Sequence, residues 1–155
     1  MLDLPSPGLY RTTQAMPGHE ADFPAGVLVY IGQSGDDGTR FIVRPRQNRR
    51  NRWFWGEPTT PFRSPTYAKT LRRLPSEGFY TLPRAIELSD GGRWLENAIV
   101  ELGYNEKGQG IIFVGQWHEG GETNTLHFSE RGLSVDDTLL DTLRWAPILP
   151  VKELS

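Results

Sequence analysis

Four short motifs from the first half of this 155-residue chain recur in the same order in its second half, at an offset that drifts only from 70 to 72 residues. Gly8-Leu9-Tyr10-Arg11-Thr12 is echoed by Gly78-Phe79-Tyr80-Thr81. Val27-Leu28-Val29-Tyr30-Ile31-Gly32 is matched by Ala98-Ile99-Val100-Glu101-Leu102-Gly103, each a short apolar run that stops at a glycine. Arg40-Phe41-Ile42-Val43 returns as Ile111-Ile112-Phe113-Val114, and Thr70-Leu71-Arg72 with Pro75 returns as Thr142-Leu143-Arg144 with Pro147. One such match arises by chance; four in order, at a nearly fixed offset, predict a tandem duplication of one small unit, residues 1–76 and 77–155.

The repeated runs are rich in β-branched and aromatic residues and short enough to be strands. Between the second and third of them lie Gln33-Ser34-Gly35-Asp36-Asp37-Gly38 and Tyr104-Asn105-Glu106-Lys107-Gly108, each ending on a glycine that can take positive φ, so both read as hairpin turns. Ser64 followed by Pro65 is an N-cap with proline at the first helical position, and the aligned Asp136 and Asp137 supply a capping carboxylate and a negative first turn. Tyr67, Ala68 and Leu71 align with Leu139, Leu140 and Leu143, the spacing of a short helix lying on a core. The expected fold class is therefore all-β with two short helices. A unit of four or five short strands and one helical turn resembles, in outline, the Src-homology-3-like small barrel. None of that family's ligand-groove signatures is present, so its peptide ligands and binding residues do not carry over.

With 37% hydrophobic and 23% charged residues and 17 aromatics, the chain has the profile of a folded, soluble protein. It has no cysteine, which excludes disulfide scaffolds, thiolate zinc sites, iron–sulfur clusters and a cysteine nucleophile. Met1 to Gly8 lacks the basic start and apolar stretch of a signal peptide, and the longest apolar runs, 27–31 and 111–114, are too short to span a bilayer. These features predict a cytoplasmic protein with no membrane association, and no cofactor is expected. The net charge of −2 conceals a dipole along the sequence. Residues 1–76 carry 11 basic against 6 acidic residues, net +5, whereas residues 77–155 carry 6 against 13, net −7.

The densest local feature is the segment from Arg44 to Trp55. Arg44, Arg46, Arg49, Arg50 and Arg52 fall within nine residues and run into Trp53-Phe54-Trp55. The repeat register places this segment in the loop between the third and fourth strands. Guanidinium forks bind carboxylate and phosphate, and aromatic faces stack on bases. The aligned stretch of the second unit, Gln116-Trp117-His118-Glu119-Gly120-Gly121-Glu122-Thr123-Asn124, is acidic where its counterpart is basic. Complementary charge on two copies of one loop suits a protein partner or self-association, in which electrostatics set the register. The expected function is thus a non-enzymatic interaction or assembly module whose partner-binding residues are Arg44, Arg46, Arg49, Arg50, Arg52, Trp53, Trp55, His118, Glu119 and Glu122. Two alternatives stand beside it: binding of single-stranded nucleic acid through the segment from Arg44 to Trp55, and a small hydrolase or metal-dependent enzyme built on the His118 loop.

Neither the cluster of His118, Glu119 and Glu122 nor that of His19, Glu20 and Asp22 has the fixed helical spacing of a metalloenzyme motif. Asp136, Asp137 and Asp141 are the start and exposed face of a helix, and no serine lies in a nucleophile elbow.

Overall fold

The computed structural model describes residues 4–34, 38–49, 52–55, 60–89, 91–118, 125–129 and 132–146, with backbone alone at 34, 49, 52, 116–118 and 125–127. The described residues are all-β with two short helices. It divides into two compact units, one formed by Met1–Ser76 with Tyr104–Gln109, the other by Glu77–Gly103 with Gly110–Ser155. Among the described residues no helix is long and apolar enough to cross a membrane.

The first unit contains β1 (Gly8–Arg11), β2 (Leu28–Ser34), β3 (Thr39–Val43), β4 (Pro45–Arg49), β5 (Arg52–Trp55), β6 (Thr60–Phe62), α1 (Pro65–Ala68) and β7 (Arg72–Arg73). Five strands make an antiparallel sheet in the order β6-β3-β2-β1-β7, and β4 and β5 pair with each other as a separate ribbon. Alternate residues build the core. Tyr10, Val27, Val29, Ile31, Ile42 and Phe62 pack with Tyr67 from α1 and with Met16 and Phe23 from the long connection after β1. The Ser64 hydroxyl caps α1 by accepting from the Tyr67 N–H at 3.1 Å. The segment from Tyr104 to Gln109 is bound to this unit by backbone and side chain: Leu28 N–H donates to the Glu106 carbonyl at 2.8 Å, and the Tyr104 hydroxyl donates to the Pro75 carbonyl at 2.6 Å. Its turn is closed by the Asn105 side chain, whose Oδ1 accepts from the N–H groups of Lys107 and Gln109, each at 3.0 Å.

The second unit contains β8 (Gly78–Thr81), β9 (Ile86–Glu87), β10 (Arg93–Trp94), β11 (Ile99–Tyr104, its last residue in the first unit), β12 (Gly110–His118), β13 (Thr125–Phe128), β14 (Leu133–Val135), α2 (Asp137–Thr142) and β15 (Arg144–Trp145). The sheet runs β13-β12-β11-β8-β15, with β14 also on β12, and β9 and β10 form a two-stranded ribbon. Tyr80 pairs with Val100 as Tyr10 pairs with Val29, and Trp145 pairs with Tyr80 as Arg73 pairs with Tyr10. Gly8 and Gly78 share a φ of +151°. That backbone conformation strains any residue with a Cβ, and at Gly78 a Cβ would also lie 2.9 Å from Trp145 Cζ3. Asp136 caps α2 through its Oδ1, which accepts from the Leu139 N–H at 2.8 Å.

Two expectations change. First, the burial of β3 and β12 matches Ile42 with Ile112, both fully buried, rather than with Phe113. Arg40 pairs with Phe62 and Gly110 with Val135, so in pairing as in burial the two strands correspond at a spacing of 70 residues, where the expected repeat had 71. A one-residue slip exchanges the two faces of a strand, so burial, not residue likeness, settles the match. Second, the sheets are open among the described residues, not closed into a barrel. Closure needs the two edges of a tilted sheet to meet in register, and of the outer strands β6, β7, β13, β14 and β15 only β13 is longer than three residues.

Candidate functional site

The basic stretch expected in a loop is a strand pair. Pro45 lies opposite Trp55, Gln47 opposite Phe54, Asn48 opposite Trp53 and Arg49 opposite Arg52, with a register shift that leaves Arg46 as the extra residue of a bulge. Pro45 explains the break from β3, since it has no N–H for the ladder and holds Arg44 out of regular pairing. Arg52-Trp53-Phe54-Trp55 is dense in strand-forming aromatics. The turn itself, Arg50 and Asn51, lies outside the described residues.

Alternation along β5 sends the two tryptophans one way and Phe54 the other. The Trp53 Nε1–H donates to the Tyr104 carbonyl at 2.8 Å. The Trp55 ring sits 5.5 Å from that of Tyr30, which in turn lies 6.4 Å from Phe41. Both tryptophans, expected as contact residues, are half-buried anchors of the ribbon. The opposite side carries Phe54, which is 49% exposed, with its exposed cross-strand neighbour Gln47 and, at the bulge, exposed Arg46.

Arg44 does not join them. It is half-buried, and its Nη1 donates to the Asp22 carbonyl at 3.1 Å, an internal tie of the first unit. Arg49 and Arg52 occupy directly opposed positions at the end of the ribbon. The structure therefore gathers Arg46, Arg49 and Arg52 on one ribbon, sets Arg44 apart and turns Trp53 and Trp55 inward. Phe54 is the exposed ring of this segment and is absent from the residues expected to bind, although the period of two in Trp-Phe-Trp singles it out once the segment is known to be a strand.

In the second unit Gln116, Trp117 and His118 belong to β12, paired with His127, Leu126 and Thr125 of β13, and not to a loop. Glu119 and Glu122 lie outside the described residues. Among the described residues no three His, Asp or Glu side chains come together as a metal site, so His19, Glu20 and Asp22, all exposed, do not converge. Burial pushes the phenols of Tyr67 and Tyr80 above the usual tyrosine value, and both rings are core residues. No family model matches the chain, and no curated protein and no solved structure matches it, so what the ribbon can do follows from its own chemistry.

Proposed function

We propose that this protein is a non-enzymatic interaction module that docks on an acidic protein surface through the outer face of the β4–β5 ribbon. The observation that carries this is the division of labour along β5: both tryptophans hold the ribbon down, leaving Phe54 outward on a strand pair that bears Arg46, Arg49 and Arg52. An exposed aromatic on a strand pair whose sequence is rich in arginine has the composition of an interface anchor, in which the ring supplies buried area and guanidinium forks make bidentate contacts to carboxylates. The chain carries the complement itself, since residues 77–155 have a net charge of −7, and self-association is the form this docking takes.

The same charges suit single-stranded nucleic acid, but the two best stacking rings face inward, which favours a protein surface. Native mass in solution at low and high salt, with and without a short oligonucleotide, tests the proposal. Salt-sensitive self-association is expected, and Arg46→Glu with Arg49→Glu abolishes it. Association unchanged by those reversals rejects the ribbon as the docking face, and a mass shift seen only with the oligonucleotide replaces the protein partner with nucleic acid.

The charge reversal is understood best if the chain is a tandem duplication of one barrel-like unit, similar in element order to the Src-homology-3-like barrels but opened at its edges. Supporting this are the shared pairing of Tyr10 with Val29 and Tyr80 with Val100, the paired glycines at φ +151°, and the caps Ser64 and Asp136 at the same place. On this view the ribbon and the hairpin of β12 with β13 are two copies of one element that have acquired opposite charge. A cysteine-free chain of this kind suits the cytoplasm.

A further inference from the structure

The chain just ahead of β1 is a stiff strap. Ser6 stands between Pro5 and Pro7, whose rings fix their own φ and hold Ser6 extended. Its carbonyl accepts from the Tyr10 hydroxyl at 2.8 Å. Two guanidinium groups grip neighbouring residues of this strap. Arg40 Nε donates to the Pro5 carbonyl at 3.0 Å, and Arg73 Nη1 donates to the Ser6 carbonyl at 3.1 Å and to the Ser6 Oγ at 2.8 Å. Arg73 Nη1 also donates to the Tyr10 hydroxyl at 2.6 Å, and its guanidinium carbon lies 5.0 Å from the centre of the Tyr10 ring. Arg40 Nη1 donates to Gln33 Oε1 at 3.1 Å and to the Gly38 carbonyl at 2.6 Å. All these acceptors are neutral, so they fix the two side chains without cancelling either charge. Among the described residues neither arginine meets a carboxylate, and Arg40 Nη2, Arg73 Nε and Nη2 and the Ser6 hydroxyl hydrogen have no acceptor.

Holding the strap does not need these charges. Leu74-Pro75-Ser76 precedes Gly78 as Leu4-Pro5-Ser6 precedes Gly8, and the Pro75 carbonyl is held by a neutral donor, the Tyr104 hydroxyl, at 2.6 Å. In the second unit Trp145 lies opposite Tyr80 where Arg73 lies opposite Tyr10, and Gly110 lies opposite Val135 where Arg40 lies opposite Phe62. Neither cation has a counterpart there. We propose that Arg40, Arg73 and Ser6 form a binding site for a phosphate group. Charge count selects the ligand. A carboxylate or a phosphodiester brings one negative charge to two uncompensated guanidinium groups, whereas a phosphate monoester brings about 1.5 to 2 at neutral pH. Its terminal oxygens accept from the open guanidinium edges and from the Ser6 hydroxyl. Little side-chain freedom is lost on binding, because the prolines, the carbonyl bonds and the Tyr10 ring already hold the donors. Arg73 shares the core face of the sheet with its partner Tyr10, while Trp55 packs on Tyr30, which alternation puts on the other face, so the site is independent of the ribbon.

Nuclear magnetic resonance of the arginine Nε–H groups in the full chain tests the site, with inorganic phosphate, glycerol phosphate, acetate and a short single-stranded oligonucleotide as probes at matched ionic strength. The Arg40 and Arg73 signals are expected to move together and saturate with inorganic phosphate, with glycerol phosphate or with both. The probe that binds tighter distinguishes the free ion from the ester. The signal of Arg63, exposed on the same unit, follows ionic strength alone. Arg40→Gln and Arg73→Gln should each weaken phosphate binding at least about tenfold, and Ser6→Ala by less. Should Arg73→Gln not fold, Arg73→Lys takes its place, since it keeps the charge, loses the fork and should still weaken binding. Acetate binding as tight as phosphate, Arg40 and Arg73 signals that move no further than that of Arg63, or phosphate binding unchanged by these substitutions overturns the site. A response to the oligonucleotide without one to either phosphate also overturns it and assigns the charges to a nucleic-acid backbone. Arg46→Glu with Arg49→Glu should leave phosphate binding intact. Its loss in that variant moves the anion to the ribbon and overturns the assignment, whereas failure of the ribbon in association leaves this site standing.

Discussion

Thr12 is a single polar residue that does the work of a small network. It is 1% exposed, and its Oγ1 donates to the Pro24 carbonyl at 2.7 Å and accepts from the Val27 N–H at 3.0 Å. In the second unit the same backbone bonds are made around Leu82, which is fully buried and apolar. Thr12→Val keeps the shape but leaves a buried donor and a buried acceptor unpaired. It should cost about 1–3 kcal/mol, seen in urea as a lower midpoint with an unchanged slope. Tyr67 carries a pH signature. Its hydroxyl donates to the Gln14 carbonyl at 2.8 Å, and burial raises its pKa above the ordinary value of 10.0. A group whose pKa is raised on folding contributes stability that is complete below its unfolded value and is lost as pH climbs through the folded one. Stability should therefore fall from about pH 10 upward. Tyr67→Phe should soften that fall, leaving the part due to Tyr80, at a cost of about 1 kcal/mol at neutral pH.

At the scale of elements, what could be read from sequence was whatever is local. The caps were legible because Ser64-Pro65 and Asp136-Asp137 act on N–H groups within three residues, and β2 and β11 were legible as short, mainly apolar runs. The ribbon was not, since its arginines mask the period of two and its pairing is a relation between separated residues. That error carried into the site, because a loop has no inner and outer face, whereas a strand assigns Trp53 and Trp55 to one side and Phe54 to the other. The two-residue strands β9 and β10 are too short to show any period. Residue likeness also sets β12 against β3 one position away from where burial sets it. Val, Ile and Phe substitute freely in a strand, so only the burial of Ile112 against that of Ile42 fixes the match.

At the scale of the whole molecule, the first compact unit holds Tyr104–Gln109 besides Met1–Ser76, so it is not continuous in sequence. A fragment of residues 1–76 would lose the Glu106 acceptor of Leu28, the Tyr104 acceptor of Trp53, the Gly108 acceptor of Arg11 and the hydroxyl donor to Pro75. It would also lose the ring of Tyr104, which is buried in this unit. Hydrogen bonds at about 1 kcal/mol each and a buried ring at about 2 kcal/mol sum to roughly the whole stability of a small domain. The fragment should show no cooperative melt, although it keeps every residue of its own sheet. Thermal unfolding followed by circular dichroism checks this. A melt as sharp and as high as that of the full chain would mean that the segment from Tyr104 to Gln109 adds nothing to the unit it contacts. Loss of the melt would mean that Trp53, and with it the face the ribbon presents, is held in place by a segment 51 residues further along the chain.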